Sequence, residues 1–400
     1  MDMKYACQFL LSTCFFFNAL LCNAQEFLPQ PYPDRVILTI TEQPATTMAV
    51  TWRTGTSLQK GSVEYLVAPD SPDLETAAMH VAIAPQLVEV EGVRAHYFST
   101  VLTGLLPKTT YAYRVGSDGA WSEWIHFTTA AEKGDDFTFL YLGDGQNDLR
   151  SRWSRVVRAA YAKAPDARFI VHAGDLINRS GVDKEWGEWH DATGFIHRMI
   201  PALATPGNHE YTKGDDMQLD KHWRAGFNFP ENGPPGLEET AYYVDYQGMR
   251  IISLNSQLIV TNENWKQKTH AWLERILAES KDKWKVITFH HPILSTAERR
   301  DNPEFRADFQ PLFEKYGVHL ILQGHDHTYG RGTGNPGNTK PVYVVSVSGP
   351  KMYEAGNNNW MEKRATKTQL FQVIQVKGDE LFYKSYTASG KLFDEFVMRK

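Results

Sequence analysis

Between Val36 and Thr129 apolar and polar positions alternate in short runs rich in Val, Thr, Tyr and Trp, broken by turn residues and without helical recurrence. This pattern predicts strands over Val36–Thr41, Thr47–Arg53, Ser62–Val67, His96–Leu102, Thr110–Val115 and Glu123–Thr128, and therefore an immunoglobulin-like sandwich. The small and charged stretch Ala130–Asp136 marks a change of rhythm. Apolar runs over Phe137–Leu142, Arg168–Ala173, Ala202–Thr205, Met249–Asn255, Lys285–His290, His319–Gln323 and Val342–Val347 predict strands. The amphipathic stretches Leu149–Lys163, Trp186–Arg198, Asn262–Ser280 and Pro303–Tyr316 predict helices between them, so the second region is expected to be a layered α/β domain. From Leu370 to Arg399 the alternation returns, with hairpin turns expected at Lys377-Gly378-Asp379 and Ser389-Gly390.

The first residues follow neither pattern. A short start with Lys4 leads into an apolar stretch from Tyr5 to Cys22, and Cys22-Asn23-Ala24 is a small-x-small cleavage signature. We read residues 1–24 as a signal peptide and expect export to the periplasm, the exterior or the cell surface. Gln8 and Asn18 interrupt the apolar stretch and make it a poor permanent span, retention as an anchor being the alternative. Cys7, Cys14 and Cys22, the only cysteines, all fall within it, so the mature chain would carry no thiol, and a metal site there is steered toward His, Asp and Asn. With 42 Lys and Arg against 47 Asp and Glu and no dense basic run, a nucleic-acid partner is not expected.

In open α/β sheets ligands gather beyond the carboxyl ends of strands. Five apolar runs end in candidate ligands: Gly143-Asp144-Gly145-Gln146, Gly174-Asp175, Gly207-Asn208-His209-Glu210, His290-His291-Pro292 and Gly324-His325-Asp326-His327. Glycine before four of them lets the backbone turn sharply and approach an ion. Two aspartates, an asparagine and several histidines form a mixed oxygen and nitrogen set suited to Zn, Fe or Mn rather than to a Ca or Mg cage. So many ligands exceed one ion, and a pair of metals bridged by one carboxylate, as serves in-line phosphoryl displacement, is the economical arrangement. Singly each motif is weak; their joint occurrence, one per strand end, is not.

These five motifs in this order resemble the calcineurin-like metallophosphoesterases. With the preceding sandwich and its Tyr111-Ala112-Tyr113-Arg114-Val115-Gly116 segment, the chain resembles purple-acid-phosphatase-type proteins from about Pro33 onward. The resemblance implies a fibronectin type III-like domain over residues 25–132 and a four-layer α/β/β/α phosphoesterase domain over residues 133–400. It also implies that Asp175 bridges two transition-metal ions, Asp144 and His327 hold the first, Asn208, His290 and His325 hold the second, and His209 acts as the proton donor. His290 is preferred to His291 because it stands two residues before Pro292, as in the family motif.

Three positions depart from that pattern. Asn178 stands where purple acid phosphatases carry the tyrosine that gives their colour, so no purple protein is expected. Gln146 stands where the wider family carries a histidine ligand to the first metal; its amide oxygen could substitute. Arg300 replaces a histidine of the plant-type enzymes, and either clamps phosphate together with Asn208 or forms a solvated pair with Arg299. The implied function is an exported phosphatase that hydrolyses monoesters of small phosphorylated substrates by in-line attack of activated water. The alternatives are a phosphodiesterase on the same site and a catalytically weak surface-binding protein.

Overall fold

The structure, a computed structural model, describes residues 27–117, 119–334 and 340–400; the expected signal peptide and all three cysteines lie outside them. The N-terminal region forms two facing sheets. One contains Asp34–Thr39, Met48–Thr54, Val93–Leu102 and Gln86–Val90 in antiparallel order. The other contains Met79–Ile83, Gly61–Val67, Thr110–Ser117 and Ala120–Trp121, with Ile125–Thr128 paired to Thr110–Ser117. Alternate residues of the two, among them Leu38, Val50 and Trp52 against Val63, Tyr113 and Phe127, make one buried cluster. The Tyr111 hydroxyl accepts from the Leu106 N–H at 2.8 Å and closes the corner ahead of its strand. The strands Met79–Ile83 and Gln86–Val90, which the alternation did not predict, lie at sheet edges with most residues partly or fully exposed.

In the second region Phe137–Leu142, Ile170–His172 and Ala202–Ala204 run parallel. The strands Leu370–Lys377, Glu380–Thr387 and Leu392–Arg399 add to them as antiparallel hairpins. On the opposite edge Thr39 pairs in parallel with Ala202, and the Ile40 N–H donates to the Ala202 carbonyl at 3.0 Å. One ten-stranded sheet therefore runs from the phosphoesterase-like region into the sandwich, a continuity that the hydrophobic pattern did not predict.

A second sheet of seven strands includes Met249–Ser253, Trp284–Phe289, Leu320–Gln323 and Val342–Val345, all parallel. The two-residue period of a strand separates its faces. Ile251, Val286, Leu320, Leu322 and Val344 point inward and share a core with Phe137, Ile170 and Ile374 of the first sheet. Ile252, Ile287, Ile321 and Tyr343 point outward against Leu273 and Ile276 of helix Glu263–Ala278 and Phe309 and Phe313 of helix Pro303–Lys315. On the outer side of the first sheet Val156 and Ala160 of helix Ser154–Lys163 and Trp186 and Trp189 of helix Asp183–Thr193 complete the packing. The order is helix, sheet, sheet, helix, and it aims the carboxyl ends of both parallel sets at one cleft.

Candidate metal centre

Asp144 follows Phe137–Leu142, Asp175 follows Ile170–His172, Asn208 follows Ala202–Ala204, His290 follows Trp284–Phe289, and His325 and His327 follow Leu320–Gln323. The loops meet so closely that side chains on the glycines would not fit. A Cβ on Gly174, whose φ is +85°, would lie 2.7 Å from both Gly207 N and His290 Nδ1; one on Gly207 would lie 2.2 Å from Asp175 Oδ1.

Two groups of ligand-type atoms result. Atoms of Asp175, His290 and His325 lie within 4.8 Å of one another, and so do atoms of Asp144, Asp175 and His327, with Asp175 common to both. Within the first group His290 Nε2 stands 3.1 Å from Asp175 Oδ2 and 3.2 Å from His325 Nδ1, and Asn208 Oδ1 stands 3.0 Å from that same His325 nitrogen. His290 Nδ1 donates to the Ala173 carbonyl at 2.8 Å, which leaves Nε2 free to face the cluster, the arrangement metal-binding imidazoles adopt. His291 joins neither group among the described residues; its Nδ1 lies 3.0 Å from the Ser256 hydroxyl.

The residues fit a pair of cations. Asp144 Oδ2 and His327 Nδ1 are buried without a hydrogen-bond partner among the described residues, although buried polar atoms are ordinarily satisfied. Burial, helped by the Asp175 charge, pushes the Asp144 carboxyl up to about 7, and the same two causes push Glu210 up to about 8. Burial works against the His290 imidazolium, yet the Asp175 carboxylate beside it raises its pKa to about 9. This is a site short of positive charge, with donors that suit Zn, Fe or Mn.

The neighbouring residues divide into those facing the centre and those supporting it. The half-buried His209 ring bonds through Nδ1 to the Asn178 carbonyl and turns Nε2 toward Asp175 Oδ2, 3.8 Å away. Asn178 engages Glu185 and His209 through its main chain. Glu210 is fully buried and accepts the N–H groups of Gly207, Leu176 and Asp175 at 2.6, 2.7 and 2.9 Å. Arg300 donates through Nη1 to the His325 carbonyl at 2.7 Å and to Asp326 Oδ1 at 3.4 Å, and its guanidinium lies 4.9 Å from the Tyr353 ring; Arg299 is exposed. His172, on the strand that leads to Asp175, is buried and bonds His197 at 3.0 Å. Tyr329 and Arg331 hold Asp394 of the last strand.

Gln146 differs from the expectation that its oxygen faces a cation. Its Nε2 donates to Asp175 Oδ2 at 2.5 Å, and its Oε1 accepts from Lys351 Nζ at 2.8 Å. The sequence reading passed over Lys351 and Tyr353, whose ring lies 4.9 Å from that of His327. The signal was available: Ser348-Gly349-Pro350-Lys351 is another polar turn just past an apolar strand.

Fold and cluster together define a calcineurin-like phosphoesterase. The model of that family matches residues 126–329, half of the chain, and the chain belongs to it. More particularly the protein is purple-acid-phosphatase-like, since residues 33–129 match the purple acid phosphatase N-terminal domain. Purple acid phosphatase 18 of Arabidopsis thaliana is 22% identical over 332 residues, spanning 79% of this chain and 70% of its own length. An uncharacterized protein of Mycobacterium tuberculosis is 24% identical over 58% of this chain, and the match spans about half, 49%, of that relative. The purple acid phosphatase PPD1 from yellow lupin seeds shares the fold with a TM-score of 0.73 at 17% identity, over 92% of this chain and 74% of the lupin one.

Proposed function

We propose that this protein is an exported phosphomonoesterase dependent on two transition-metal ions, Fe, Zn or Mn. Asp144, Asp175 and His327 would hold one ion and Asp175, Asn208, His290 and His325 the other. The observation that carries this reading is the one carboxylate, Asp175, common to both ligand groups. When bound, such a pair supplies Lewis acidity that offsets charge on the phosphoryl oxygens and lowers the pKa of the attacking water. The chain's own residues then have separate tasks. Glu210 and the glycine turns keep Asp175 fixed against the His290 and Asn208 loops. His209, its Nδ1 committed to the Asn178 carbonyl, offers Nε2 on the open side of Asp175, where it can pass a proton to the leaving oxygen. Among the described residues Arg300 hydrogen-bonds only through Nη1, and its Nε and Nη2 would serve phosphate oxygens together with the Asn208 amide.

Export rests on the N-terminal sequence; among the described residues no helix is long and apolar enough to cross a membrane. The test is hydrolysis of phenyl phosphate and of its diphenyl ester by purified protein supplied with Mn, Fe or Zn. Monoester turnover that a chelator abolishes supports the proposal. Preference for the diester makes the protein a phosphodiesterase, and no turnover with any metal makes it a non-catalytic scaffold.

A further inference from the structure

Gln146 occupies a position bordered by two groups of fixed chemistry. A lysine ammonium has three donors and no acceptor, so the atom 2.8 Å from Lys351 Nζ must be the amide oxygen. With the oxygen so assigned, only the NH2 end of the amide remains for Asp175. The atom 2.5 Å from Asp175 Oδ2 must then be the amide NH2. Both partners dictate the same orientation, and turning the amide over would set NH2 against ammonium and oxygen against carboxylate. The Gln146 N–H donates to the Asp175 carbonyl at 3.0 Å, so the backbone at this position is tied as well.

We infer that Lys351 locks the Gln146 amide so that it supports Asp175 and contributes no ligand to the first metal site. That site is left with Asp144, Asp175 and His327 from the protein, and binds its ion more weakly than the site formed by Asp175, Asn208, His290 and His325. The amide nitrogen, its lone pair delocalised, cannot ligate, and the oxygen that can is turned away. Lys351 is half-exposed and lies 5.8 Å from the Tyr353 ring, so it can be replaced without opening the core.

The inference rests on the proposed pair of cations, and its test separates the two. Chelator-stripped protein is titrated with Mn(II) while free Mn(II) is followed by electron paramagnetic resonance, giving the number bound and both dissociation constants; circular dichroism verifies folding. Wild type should bind two ions unequally. Gln146→Leu, which takes an N–H donor from the carboxylate shared by both sites, should weaken both constants alike, whereas Lys351→Met, by freeing the amide to turn, should tighten the weaker one about tenfold, the scale on which groups behind the ligands tune metal sites. In the double variant the gain should vanish, and Lys351→Arg, which keeps a donor on the oxygen, should match wild type. Loss of the weaker ion in Gln146→Leu with the tighter constant unchanged shows the amide already ligating and overturns the inference, as does a Lys351→Met titration identical to wild type. Wild type that binds no Mn(II) overturns the metal centre itself.

Discussion

Asp144, Asp175, His325 and His327 hold φ at 33°, 51°, 74° and 50°, in the left-handed region that side chains other than glycine rarely occupy. Each such residue costs of order 1 kcal/mol and persists only where its surroundings over-determine it, as active-site loops do. Asp144 adds a second cost, because its Oδ2 is buried without a partner among the described residues. Asp144→Asn removes the buried charge and suits the left-handed backbone at least as well. Urea unfolding in the presence of chelator should show this variant about 1 kcal/mol more stable than wild type, while its metal content falls. A less stable variant would mean that Asp144 is satisfied without a cation. His209 predicts the opposite combination. Its ring bonds the Asn178 carbonyl and, though it faces Asp175, it belongs to neither ligand group, so His209→Ala should lower kcat about a hundredfold and keep both ions by elemental analysis.

At the scale of elements, the carboxyl end of the first sheet is held by Glu210, whose carboxylate gathers N–H groups from the loops after Ile170–His172 and after Ala202–Ala204. Glu210→Gln puts an NH2 group among donors and should cost roughly 3 kcal/mol in thermal or urea unfolding, with Asp175 loosened and metal affinity reduced. Wild-type stability would show that the two loops hold each other without it. The strand ends that carry the cluster were legible in the sequence because a parallel strand buried on both faces reads as an unbroken apolar run, and a glycine before the polar residue marks its end. Edge strands such as Met79–Ile83 were not legible, since exposure on both faces leaves no alternation to read. The helix Ser256–Thr261 was missed for its shortness; it forms because Asn255 caps the Leu258 N–H. The convergence of Asp144, Asp175 and the histidines could be read from motif order. The orientation of the Gln146 amide could not, because Lys351, far along the chain, sets it.

At the scale of the whole molecule, the sandwich and the phosphoesterase region share a sheet and also a buried charge network. Arg35 and Arg53 of the sandwich reach Asp183, at the start of helix Asp183–Thr193, at 2.9 and 3.2 Å, and His222 bonds Asp183 Oδ1 at 2.9 Å and Asp220 Oδ1 at 2.8 Å. Removing one partner of such a network leaves buried charges uncompensated, so Asp183→Asn should cost about 3 to 5 kcal/mol in urea unfolding; a loss below about 1 kcal/mol would show that the junction does not depend on it. His222 makes the junction pH-dependent. Burial disfavours its charged form, but the hydrogen bonds it donates to Asp183 and Asp220 and the Asp220 charge prevail, and its pKa is raised above the usual 6.5. A histidine whose folded pKa is raised stabilises fully below its unfolded value, and that contribution disappears as pH rises through the folded value. Wild type should therefore lose stability relative to His222→Gln on going from pH 6 toward pH 9. Comparing the two chains cancels the titrations of Asp144, Glu210 and His290, which both retain. Because the network sits between the sandwich and helix Asp183–Thr193, the loss should appear as earlier exposure to proteolysis at this junction. A stability difference between the two chains that stays constant with pH would mean that the junction leaves the pKa of His222 at its unfolded value, with Arg35 and Arg53 cancelling the pull of the two carboxylates.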